Sequence, residues 1–317
     1  MQTCAKDAHA RAHFALVTPR ALLIGQALGF PDPAKSAHCT VCHSPQESVP
    51  AARLAEGAAM VSGVGCESCH GPAEAWLRFH TRPDVAHAQR VESGMRELGG
   101  LASRADACIR CHLLLDPAVL AANHPELFFD FDGQMARLPP HWKDAGAWLG
   151  PRAWLVGQAA ALRELSWRLR RGPDAAVEAR ARGLAWLLRL TPAGASALPA
   201  VEAKPAEMQA AAARLAQAAS KLDWSHSSTA RQLRTFTGLA PDFRDGAAEA
   251  AVLRRRAEVL VPAIERLWTA LKAGGARSPE FDAALGEAGA QAARQAGFVP
   301  ALFADALAKI EAAPRRE

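Results

Sequence analysis

The sequence predicts a mainly α-helical protein in two parts, a loop-rich N-terminal domain over residues 1–150 and an α-helical bundle over residues 151–317. Three observations carry that expectation. All seven cysteines lie between Cys4 and Cys111. From about residue 150 apolar residues recur at helical spacing, whereas no stretch of useful length alternates with the period of two that a half-buried strand needs. The chain is 50% hydrophobic and 22% charged, enough to bury a core and far from a disordered profile.

In the first part Pro31, Pro33, Pro45, Pro50, Gly63, Gly65, Gly71, Pro72 and Pro83 punctuate short helical stretches, which leaves little periodic pattern from which to build a core. In the second part Leu155, Leu162, Leu165 and Leu169 fall on one helical face. So do Met208, Leu215, Ala219 and Leu222, and again Leu253, Leu260, Ile264, Leu267 and Leu271. Five to seven amphipathic helices are expected. Pro173, Pro205 and Pro279 stand near helix starts, where a missing N–H costs little, with Ser278 as an N-cap before the last of these. Ser225-His226-Ser227 is read as another polar start, Pro262 as a kink, and Thr191–Pro205 as a linker that divides the bundle. Trp142, Trp148, Trp154, Trp167 and Trp186 are expected in the core or against a cofactor.

Net charge is +5, split into −2 over residues 1–150 and +7 over the rest. The run Arg254-Arg255-Arg256 comes with no nucleic-acid motif, so it reads as a solvated helix face and nucleic acid is not an expected partner. No apolar run approaches the roughly 18 residues that a transmembrane segment needs. Residues 1–6 lack the charged-then-apolar pattern of an export signal, so any signal is expected to have been removed or never present.

The chemistry lies in three pentads: CTVCH at 39–43, CESCH at 66–70 and CIRCH at 108–112. Cys-x-x-Cys-His is the attachment signature of c-type haem. The thiol pairs Cys39/Cys42, Cys66/Cys69 and Cys108/Cys111 would add across porphyrin vinyl groups, and His43, His70 and His112 would bind iron from the proximal side. A zinc ribbon or redox disulfides are the alternatives. Zinc takes four Cys or His donors, but it gives no reason for a histidine after every second cysteine. Three covalent haems would supply the apolar core that this part lacks, and their propionates would make it more acidic. An acidic haem end and a basic helical end would orient docking to redox partner proteins, with an exchange rate that falls with salt. Distal ligands must come from His9, His13, His38, His80, His87, His124, His141 and His226.

The run GVGCESCHGPAEAWLRFH at 63–80, with KDAHARA at 6–12 and DPAKSAHCTVCHSP at 32–45, resembles the cytochrome c-554 group of multihaem cytochromes. AANHPELFFDFDGQMARLPPHW at 121–142 and WLVGQ at 154–158 resemble larger members of that group. The resemblance implies that His9 ligates the haem on Cys66 and Cys69. It makes His80 a ligand too, although the haem that His80 serves in the family is attached upstream of His9, where Cys4 is the only cysteine present. It also implies an open iron face on the haem of Cys39 and Cys42. His124, in the NHP element, is the candidate distal ligand for the haem on Cys108 and Cys111. The function expected is single-electron transfer between redox partner proteins through three haems. An enzyme acting at an open iron on a small nitrogen oxide or hydroxylamine is the alternative, and a relay subunit docked on a larger complex is a third reading. The resemblance implies a periplasmic or otherwise exported location.

Overall fold

The structure, a computed structural model, describes residues 6–56, 63–139, 150–245, 248–294 and 297–314. Cys4, His141, Trp142 and Trp148 lie outside them. The protein is mainly α, with no strand among the described residues, and its chain divides into two compact units. The first comprises Met1–Phe129 and Gln134–Asp144, the second Asp130–Gly133 and Ala145–Glu317. No helix of the described residues is long and apolar enough to cross a membrane.

The first unit contains short helices: α1 (Pro19–Ala27), α2 (Ala37–His43), α3 (Cys66–His70), α4 (His87–Glu92), α5 (Leu101–His112) and α6 (Pro117–Ala121). Between them run 3₁₀ turns, the longest Ala8–Val17. Side-chain caps set where several begin: Asp7 accepts from the His9 amide, Thr18 from Ala21, and Asp116 from Ala118. Helix α2 packs among three of the 3₁₀ turns, including Ala8–Val17. Only α5 is long enough to bury a face of its own, with Leu101, Ala102, Ala105 and Ile109 at helical spacing. Helix α7 (Phe131–Arg137) carries residues of both units.

The second unit holds α8 (Gly150–Arg171), α9 (Ala175–Arg189), α10 (Pro192–Ala197), α11 (Pro205–Ala219), α12 (His226–Thr237), α13 (Ala240–Arg244), α14 (Ala250–Ala273), α15 (Pro279–Ala292) and α16 (Pro300–Ala312). Helix α8 packs against α9, α11 and α14, and α15 packs against α16. Every apolar position predicted on the α14 stripe is buried. Ser278 caps α15 by accepting from the Phe281 amide at 3.1 Å, and Ser225 caps α12, as their sequences predict. Gly157 on α8 admits Phe131: a methyl group there would stand 2.5 Å from the Phe131 Cβ.

Three expectations are corrected here. Thr191–Pro205 does not divide the bundle, because α10 forms inside it and packs on both α9 and α11. The arginine run is not a solvated face: Arg254 and Arg255 pair with Glu258, half-buried, and the Arg256 guanidinium lies 5.1 Å from the Trp186 ring centre. Trp167 is an exposed ring under Arg171 and not a core residue, whereas Trp154 is buried against Trp224 and Phe236.

Candidate functional site

Each pentad forms one or two turns of helix that end on its histidine, so both thiols and the imidazole project from adjacent positions. No disulfide joins the six pentad cysteines. Cys42 and Cys111, from different pentads, share a hydrogen bond; it holds the Cys42 thiol below its usual range and pushes Cys111 up. Burial pushes Cys108 up to about 12 and raises Cys39 and Cys69 as well. The charges of Cys69 and Cys111 also bear on Cys108, so the three pentads converge within electrostatic reach. Among the described residues no three His, Cys, Asp or Glu side chains form a group able to hold a metal ion.

The imidazoles of His43 and His112 meet partners at Nδ1. His43 Nδ1 donates to the Ala12 carbonyl at 3.2 Å, and His112 Nδ1 stands 3.3 Å from the Gln134 amide. Burial lowers the proton affinity of both, which favours the neutral ring that ligates metal. At the second pentad Arg96 donates to the carbonyls of Ser68 (3.2 Å) and Cys69 (2.6 Å), and its own amide donates to His70 O at 2.7 Å, which fixes the end of α3. Glu67 accepts from the Ala73 amide at 2.7 Å and ties α3 to the following turn.

The other candidate histidines are placed as follows. His9 lies 5.9 Å, ring centre to ring centre, from His112, and its Nδ1 donates to Asp7 at 3.0 Å. His124 lies 6.4 Å from His43, and its Nδ1 donates to Pro125 O at 2.8 Å. His80 reaches the buried Trp76 at 5.8 Å, and Trp76 lies 6.4 Å from His70. His38 stacks on Phe30, and His87 pairs with Glu97. The resemblance leads from His9 to the haem of Cys66/Cys69, and the NHP element was matched to the haem of Cys108/Cys111. In the structure the His9 ring stands beside His112 of CIRCH and the His124 ring beside His43 of CTVCH. Sequence reading missed Gln134, Arg96, Asp7 and Trp76. Asp7 carried a signal, an acidic residue two positions before a candidate ligand; Gln134 carried none.

The segment holding His9 is fitted closely to the approach to CESCH. Val64 N donates to His9 O at 2.9 Å, and at Gly63 (φ +133°) a methyl group would stand 2.6 Å from that same carbonyl oxygen. This juxtaposition joins the two best-defined stretches of the N-terminal sequence.

Residues 5–71 match the family model of cytochrome c554 and c-prime. The cytochrome c554 match spans His9, CTVCH and CESCH, about a fifth of the chain, and ends before CIRCH. It supports a c-type cytochrome, whose cofactor is covalently bound haem c. No curated protein and no solved structure matches the chain.

The side chains fit such a group. The six pentad cysteines are not joined in disulfides, His43 donates through Nδ1 so that Nε2 is left to ligate, and apolar side chains of the first unit face outward. Among the described residues nine of the thirteen exposed large apolar side chains, including Phe14, Leu22, Leu23, Val41 and Leu77, belong to that unit. Such exposure is what a flat apolar cofactor would cover.

Proposed function

We propose that this protein is a multihaem c-type cytochrome that passes single electrons between redox partner proteins through three haems. The haems are held by Cys39/Cys42, Cys66/Cys69 and Cys108/Cys111, with His43, His70 and His112 as proximal ligands. The convergence of three CxxCH turns within one unit, each ending on its histidine, carries the reading. Bound haem supplies a one-electron iron couple, and the chain's work is to hold it. The paired thiols fix the plane and the helical turn fixes the proximal imidazole. The carbonyl of Ala12 accepts from His43 Nδ1–H, orients that ring and raises its basicity toward iron. Haem attachment of this kind places the protein outside the cytoplasm. A pyridine haemochrome assay with intact-mass measurement tests the proposal on protein matured with haem c. Three haems per chain are expected, and fewer than three would overturn it.

A further inference from the structure

We propose that His43/His124 and His9/His112 are the axial pairs of two six-coordinate irons, so that the haem on Cys39/Cys42 is closed by His124 and the haem on Cys108/Cys111 by His9. The inference rests on the proposal of haem at these pentads and assigns what lies across each iron.

The spacing is the first argument. With metal–imidazole bonds of about 2.0–2.1 Å and a ring centre roughly 1.1 Å behind its nitrogen, two imidazoles trans across one metal have centres roughly 6 Å apart. The two pairs stand at 6.4 Å and 5.9 Å. The second argument is the tautomer. Three of the four rings, those of His43, His124 and His9, donate from Nδ1 to Ala12 O, Pro125 O and the Asp7 carboxylate, so Nε2 is their coordinating nitrogen, and the fourth, His112, has the Gln134 side-chain amide 3.3 Å from its Nδ1. A pair of histidines meeting by side-chain packing alone has no reason to share this pattern.

The third argument is local backbone. Asn123, directly before His124, has φ +70° and is the one non-glycine residue with positive φ among the described residues. Such a conformation costs free energy unless the surroundings impose it. They do so here: Asn123 N donates to Leu120 O at 3.0 Å, His124 N to Val119 O at 3.2 Å, and Arg20 reaches from α1 to donate to Asn123 O at 2.7 Å. The turn after α6 is thus bent and clamped just where it delivers an imidazole to His43. The second ligand has the equivalent support from Asp7, which accepts from both the amide and the ring of His9. With His124 in place, the iron that the family resemblance leaves open has no free face, and the nitrogen-oxide chemistry considered from sequence loses that site.

The test is electron paramagnetic resonance and optical spectroscopy on the holoprotein and its variants. His124→Ala should turn one of the three haems high-spin, and His9→Ala should turn a different one high-spin. Attachment variants then identify each iron. In a Cys39→Ala/Cys42→Ala background His124→Ala should add no high-spin signal while His9→Ala still does. A Cys108→Ala/Cys111→Ala background should give the reverse. His124→Met provides a variant that keeps six ligands: it should retain a low-spin iron, gain a thioether-to-iron absorption band and raise one potential. An unchanged spectrum in His124→Ala and His124→Met overturns the pairing, as does a response that vanishes with the wrong attachment pair. Protein that carries three haems but fails these tests loses only the pairing; protein without haem c loses the underlying proposal.

Discussion

At the residue scale the informative atom is Gln134 Oε1, which is buried without a hydrogen-bond partner while the same amide's nitrogen lies 3.3 Å from His112 Nδ1. A buried carbonyl oxygen left unpaired costs about 1–3 kcal/mol. Turning the amide over places that oxygen as acceptor for Nδ1–H, the proton an imidazole carries when Nε2 binds iron. Gln134 is then a positioning residue for His112, as the Ala12 carbonyl is for His43. Gln134→Leu should raise the potential of one haem and Gln134→Glu should lower it, each by the equivalent of about 1 kcal/mol, read by spectroelectrochemistry with the haem count unchanged. Potentials that do not move in opposite directions would refute the role. None of this was legible in the chain, because a glutamine 22 residues after the histidine has no periodic or motif relation to it. The pentads were fully legible, since their chemistry is set by neighbours one to four positions apart.

At the scale of elements, the helices of the second unit follow their apolar periodicity and caps, and the departures come from contacts between helices. Arg254 and Arg255 look solvated in a linear reading, yet α14 turns them into ion pairs with Glu258. The buried carboxyl of Asp132 on α7 is a sharper case. Burial, and then the charge of Asp130, push it up to about 7 from 3.8, while Arg266 of α14 opposes the rise. The folded state therefore holds a proton more tightly than the unfolded chain. Stability falls as pH climbs from about 4 to about 7 and is level above that. Asp132→Asn should match the wild type near pH 4–5, gain stability at pH 8 by on the order of 1–2 kcal/mol, and flatten the dependence between. Denaturant midpoints at the two pH values measure this, and an equal gain at both would refute it.

On the scale of the whole molecule, the two units are stabilised by different means. All twelve of the largest fully buried side chains, from Trp154 and Trp268 to Leu188, belong to the second unit. At about 25 cal/mol per Å² of apolar surface removed from water, that unit has a protein core of its own, whereas the first unit has short turns and caps and, on the proposed function, relies on attached haem. Replacing all six pentad cysteines with alanine should leave the helical unit's circular dichroism and protease resistance intact while the stretch before residue 130 is degraded. Resistance of both units would show that the first folds without its cofactor.

The sequence alone determined the helical class, the places where the second-unit helices start, and the positions of the three CxxCH pentads, because periodicity, capping and CxxCH spacing act over a few residues. Which histidine stands beside which pentad was decided only by the tertiary structure. His9 and His112 are separated by more than a hundred residues, as are Arg20 and the Asn123 carbonyl it clamps. Spacing along a chain says nothing about a pairing that depends on how loops close around a cofactor.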